Sequence, residues 1–207
     1  AETLPNIIQE ITNEYHNKYN LDVNMKGSNA FVEREIIGDI FFAAEKLSPD
    51  VNHLRVIVAH EIGHIYHNVM LQNDGIDWAK AEWTDAAVTL YREGVATYLS
   101  KQILKGLNES VYYSYDNEGE RWLQYCIENE EHIKKHFLED YIERWTLDKE
   151  KEWFRLSGGQ YFGYNRLGYF LGTAFVEYVV QALGESEAFT FWNKHNLKSS
   201  VMDWLSK

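Results

Sequence analysis

Residues 56–67 read Val-Ile-Val-Ala-His-Glu-Ile-Gly-His-Ile-Tyr-His. No other stretch constrains the chain as tightly. The apolar residues Val56, Ile57, Val58, Ala59, Ile62 and Ile65 surround the segment on most sides when it is wound as a helix, which marks a buried helix. Two histidines and a glutamate are costly to bury without partners. Helical spacing places His60 and His64 on one face, where two imidazoles can point at one metal ion. Glu61 sits beside them as a candidate base for water. The pattern H-E-x-x-H therefore predicts one zinc ion with open coordination positions. Ser48-Pro49-Asp50 supplies a start for this helix, with Ser48 as N-cap and Pro49 in the first turn, and the helix is expected from about Pro49 to Met70.

A third ligand must come from elsewhere. The extended pattern H-E-x-x-H-x-x-G-x-x-H fails, because His67 stands at its glycine and Met70 at its last histidine. The next candidate is Glu93, 29 residues after His64. That separation suits a loop and a second helix running back past the first. Residues 78–105 show helical periodicity through Ala79, Trp83, Ala86, Ala87, Leu90, Val95 and Leu99. Gly94, beside Glu93, costs roughly 1 kcal/mol relative to alanine inside a helix. Close helix-to-helix approach is the expected return.

Taken together, His60-Glu61-Ile62-Gly63-His64 and Glu93-Gly94-Val95-Ala96 resemble the gluzincins, zinc peptidases whose third ligand is a glutamate on the following helix. The chain also resembles small bacterial predicted zinc-dependent proteases, over about residues 30 to 105. It implies His60, His64 and Glu93 as ligands and Glu61 as general base. Thermolysin-like members carry an aspartate four residues after the glutamate ligand; Thr97 stands there instead. Thr97, Asp85 or another group is then left to orient the histidines.

The expected fold is α+β: a small antiparallel sheet packed on a mainly helical body, zincin-like, in a single domain. Residues 1–47 would form a helix and sheet lobe, 48–105 the metal-binding helices and 106–207 a helical lobe. Residues 4–19 read as a first helix. Strands are expected over 30–37 and 39–43, meeting near Gly38, and the resemblance implies that one of them pairs with an extended substrate. After a loop over 112–117, residues 119–136 and 137–146 read as helices with charged outer faces.

A second informative stretch is Gly158-Gly159-Gln160-Tyr161-Phe162-Gly163-Tyr164-Asn165-Arg166-Leu167-Gly168-Tyr169-Phe170-Leu171-Gly172. A glycine-rich turn leads into a helix over about 165–183, with Gly168 and Gly172 on one side of it for close packing. Some gluzincins carry an oxyanion-stabilising tyrosine in a Y-x-x-G setting, which Tyr169 to Gly172 resembles, so Tyr169 is the implied donor. Tyr161 and Tyr164 in the preceding loop are rivals. Arg166 is read as a surface residue, with a grip on a substrate carboxylate as the functional alternative.

Composition sets the outer limits. Seven Trp, 14 Tyr and 10 Phe supply an ample core. A formal charge of −12 argues against nucleic acid, whose affinity rests on Lys and Arg, and disfavours anionic membranes. Cys126 is the only cysteine, so no intramolecular disulfide is possible and no thiolate belongs to the site. No run is long and apolar enough to span a bilayer. The reading favours a cytoplasmic protein, with secretion after removal of a leader as the alternative. The function expected is zinc-dependent peptide hydrolysis on a peptide or protein substrate. The rival expectation is a catalytically inactive metal-binding or interaction protein. A purely structural site has no use for Glu61 and is usually fully ligated by protein.

Overall fold

The computed structural model describes residues 3–20, 40, 47–114 and 119–207. Every regular element among them is a helix. These are α1 Leu4–Tyr19, α2 Val51–Asn73, α3 Ala86–Ile103, α4 Val111–Ser114, α5 Gly119–Glu128, α6 Glu130–Glu143, α7 Leu147–Phe154, α8 Leu167–Leu183, α9 Glu185–Phe189, α10 Phe191–Lys194 and α11 Leu197–Leu205. The α+β expectation is therefore corrected to an all-α fold. No strand occurs among the described residues. The two expected strands lie outside them, apart from Ile40. Ile40 is buried and belongs to the same apolar core as the helices. Short alternating runs are weak evidence for a sheet, and here helices cover one another's apolar faces.

Helix α3 is the central element, packed between α2 and α8. Its glycine explains how three layers fit so closely. A Cβ on Gly94 would lie 2.1 Å from the Gly172 carbonyl oxygen, and a Cβ on Gly172 would lie 2.3 Å from the Leu90 carbonyl oxygen. The backbones of α3 and α8 thus touch where each carries glycine. On the opposite side, a Cβ on Gly63 of α2 would lie 3.2 Å from the Ala96 backbone of α3 and 3.1 Å from the Tyr15 hydroxyl. Tyr15, fully buried on α1, donates to the Ala59 carbonyl at 2.6 Å. The close approach foreseen at Gly94 is real, but its partner is α8; the α2–α3 contact is made at Gly63 and Ala96.

Several boundaries differ from the sequence reading. Asp50, not Ser48, caps α2: its carboxylate accepts from the amides of Asn52 at 2.8 Å and His53 at 3.2 Å. Ser48 accepts from the Asp50 amide instead. Helix α3 begins at Ala86, eight residues later than Trp78. Residues 74–85 form turns, and Trp78 and Trp83 stack at 4.9 Å while the Trp83 indole donates to the Trp78 carbonyl. Asp85 then caps α3 by accepting from the Ala87 amide. The run 119–146 breaks at Asn129 and ends at Glu143, and the helix Val111–Ser114 overlaps the start of the loop expected over 112–117.

No helix among the described residues is long and apolar enough to cross a membrane.

Candidate metal centre

His60 and His64 project from one face of α2, their rings 4.7 Å apart and nearly perpendicular. Both are buried. Helix α3 runs past that face and delivers Glu93. One oxygen, Glu93 Oε2, lies 3.1 Å from His60 Nε2 and 3.4 Å from His64 Nε2. The three donor atoms fall within 4.8 Å of one another, and no other such group of three occurs among the described residues. Zinc bonded at about 2.0–2.2 Å to nitrogen and oxygen in a tetrahedron separates its ligands by roughly 3.3 Å. The two histidine-to-glutamate distances match that edge. The donor set, two imidazoles and a carboxylate, is also one that zinc takes.

The electrostatics set the two carboxyl groups near the histidines apart. Burial pushes Glu93 towards protonation, but His64 and His60, through charge and hydrogen bonding, outweigh it and hold the carboxyl well below the usual carboxylate range. Glu61, next along α2, is pushed the other way. Burial raises it to about 7; the positive charge of His60 opposes this and the negative charge of Glu93 adds to it. Two carboxyl groups near one histidine pair are thus pushed in opposite directions.

Around these three side chains, the buried Thr97 hydroxyl lies 3.5 Å from His60 Nδ1. Thr97 is one turn along α3 from Glu93, so a single helix supplies both groups. Asp85, the other named candidate, is engaged elsewhere: it meets the Tyr141 hydroxyl at 2.9 Å and Lys198 Nζ at 2.9 Å. Behind Glu93, the Arg92 guanidinium lies over the Trp83 ring at 5.0 Å and donates to Asn68 at 3.1 Å. His67, in the glycine position of the failed extended pattern, is fully buried against the Tyr91 ring at 5.0 Å. Burial holds its imidazole well below the ordinary histidine value.

Of the three tyrosines, the structure brings one to the histidines. The Tyr169 ring centre lies 5.9 Å from that of His60. Tyr161 packs on His136 at 4.7 Å and Tyr164 stacks on Tyr125 at 4.6 Å, both on the α5–α6 side. Arg166 is not a surface residue: it is 5% exposed, and its guanidinium sits 4.4 Å from the Tyr169 ring centre.

Sequence reasoning missed Glu152. Its carboxylate, on α7, accepts from the backbone amides of Gly159 at 3.0 Å, Gln160 at 2.9 Å and Tyr161 at 2.8 Å. Gly158 fits against the end of α7, where a Cβ would fall 2.2 Å from the Lys151 carbonyl. The glycine-rich turn is thereby tied to α7 before α8 begins. A glutamate six residues before a double glycine carries no pattern that would have revealed this. Arg155 was also missed. Its hydrogen bond to Glu150 at 2.8 Å is the main cause that raises its pKa, against burial, and the Glu93 carboxylate is near enough to add to it.

Comparisons with protein-family models, with curated proteins and with solved structures find no match.

Proposed function

We propose that the protein is a zinc-dependent peptidase of the gluzincin kind, with His60, His64 and Glu93 as the metal ligands. One observation carries this reading: a single carboxylate oxygen of Glu93, on a different helix, lies within 3.4 Å of both imidazole Nε2 atoms. Three ligands from the protein leave a position for solvent and substrate, which is the ligand count of catalytic zinc. When bound, zinc supplies Lewis acidity that polarises a peptide carbonyl and acidifies water.

The chain's own groups divide the remaining work. Glu61 accepts the proton of the attacking water and passes it to the departing amine. Its position next to His60 holds it beside the ligands, where it adds no fourth one. Tyr169 donates a hydrogen bond to the carbonyl oxygen as negative charge builds there. Thr97 steadies the His60 ring through Nδ1, so that Nε2 keeps its aim. A peptide or protein is the substrate.

The test is peptidase assay of the zinc-loaded protein on casein, with Glu61→Gln beside it. We expect Glu61→Gln to keep its zinc and lose turnover by at least about a hundredfold. Equal activity in the two proteins would refute the assignment of Glu61. A wild-type protein that holds zinc but cleaves nothing would favour the rival account, a metal-binding protein without a substrate.

A further inference from the structure

Arg166 combines three features that surface arginines lack. It is 5% exposed. Its backbone is left-handed, with φ +61°, at the residue immediately before α8. Its guanidinium lies 4.4 Å from the centre of the Tyr169 ring. A left-handed conformation is unfavourable for a residue with a Cβ, and such outliers persist where their surroundings hold them in place. Asn and Gly adopt it more readily, yet the chain has arginine here.

The surroundings are specific. Glu152 ties down Gly159, Gln160 and Tyr161. The Asn165 side chain donates to the Leu156 carbonyl at 3.0 Å, and the Asn165 carbonyl accepts from the Trp122 indole at 2.7 Å. The chain therefore enters Arg166 already fixed on both sides. Phe154 packs on the same side: its ring is 6.1 Å from that of Tyr169, and it occupies the space that a side chain at Gly168 would need, 2.4 Å from an added Cβ. The Tyr169 ring thus has His60, Arg166 and Phe154 as neighbours.

We infer that Arg166 is a positioning residue: its left-handed backbone aims a buried guanidinium at the Tyr169 ring and so fixes the phenol beside the His60, His64 and Glu93 cluster. A cation over an aromatic face is attractive, more so when desolvated, and arginine stacks on a ring where lysine presents only a point charge. The inference rests on the peptidase reading for its consequence in turnover, but its geometric content stands apart from that reading.

The experiment uses two readouts. The first is 19F NMR of the full chain labelled with 3-fluorotyrosine, the Tyr169 signal being assigned as the one lost in Tyr169→Phe. The second is casein hydrolysis by the zinc-loaded protein. Arg166→Gly removes the guanidinium together with the unfavourable backbone conformation; Arg166→Lys keeps charge without the planar guanidinium. We expect Arg166→Gly to move or broaden the Tyr169 signal and to lower kcat by about tenfold to a hundredfold, with KM and zinc content unchanged. In a Tyr169→Phe background the same change should cost nothing further, and Arg166→Lys should fall between wild type and Arg166→Gly on both readouts. An unmoved Tyr169 signal in Arg166→Gly, or in Arg166→Lys if the glycine variant fails to fold, would overturn the inference. So would a kcat loss of full size in the Tyr169→Phe background. A wild-type protein inactive on casein would count against the peptidase reading alone, because the ring signal still decides the role of Arg166.

Discussion

At the residue scale, the site depends on side chains whose burial makes sense only in company. His60, His64 and Thr97 are all buried, and Glu93 keeps only 21% of its side chain exposed. A buried imidazole must settle which nitrogen carries its proton. With Thr97 at Nδ1 and Glu93 at Nε2, His60 has a partner on each side. Thr97→Val removes the hydroxyl while keeping the shape. Loss of a group that orients a metal-binding histidine typically costs tenfold to a hundredfold in affinity. We expect Thr97→Val to weaken zinc binding by about tenfold or more, read by competition with a chromophoric chelator, with Glu61→Ala as a control near wild type. Unaltered affinity would remove Thr97 from the site.

The histidine pair was legible in the sequence because helical spacing alone puts residues four apart on one face. Glu93 was legible through its separation from His64, which suits a second helix running back past the first; Gly94 beside it serves the contact with α8 instead. Arg166 was misread because a run of glycines and aromatics does not announce that one arginine among them turns left-handed and inward. Glu152 was invisible for a related reason: its partners are backbone amides, which every sequence possesses.

At the element scale, the crossing of α3 and α8 sets how the cluster and Tyr169 meet, since Glu93 lies beside Gly94 and Tyr169 lies one turn before Gly172. Alanine for Gly94 would gain about 1 kcal/mol of helix propensity, yet its Cβ would fall 2.1 Å from a backbone oxygen that cannot rotate away. Overpacking costs of about 1–3 kcal/mol follow from such contacts, occasionally more. We expect Gly94→Ala to be less stable than wild type in urea denaturation, and a more stable variant would show that the two helices can separate freely. The turn before α8 gives a second test. Replacing Glu152 with alanine strips three amides of one acceptor group, and we expect hydrogen exchange at Gly159, Gln160 and Tyr161 to speed up relative to α8. Unchanged exchange there would mean that the glycines alone hold the turn.

The element boundaries show where sequence patterns reach their limit. Helix α1 was readable to the residue, as Pro5 opens it and its apolar stripe of Ile7, Ile11 and Tyr15 has helical spacing. The start of α3 was not, because Trp78, Ala79 and Trp83 fit the same periodicity while their stacked rings in fact hold a turn. The sheet was the larger error. Alternation over 30–37 and 39–43 was read as strands; apart from Ile40 those residues lie outside the described ones, and Ile40 joins a core made by helices.

At the scale of the whole molecule, an all-α body with a formal charge of −12 concentrates two imidazoles and two carboxylates, Glu61 and Glu93, where α2 and α3 pass each other. A cation bound there would tie the two helices together, and binding only to the folded state raises stability. At a free zinc concentration a hundred times the dissociation constant the gain is about 2.7 kcal/mol. The unfolding midpoint should therefore rise with zinc and fall again with EDTA, and that response should vanish in His64→Ala.

The most direct measurement is the metal content of the purified, zinc-supplemented protein, wild type against Glu93→Ala, with circular dichroism to show that both are folded. Near-stoichiometric zinc in the wild type and a large loss in the folded variant is the expected result. Zinc absent from the wild type, or retained in full when the Glu93 carboxylate is gone, would contradict the site described here.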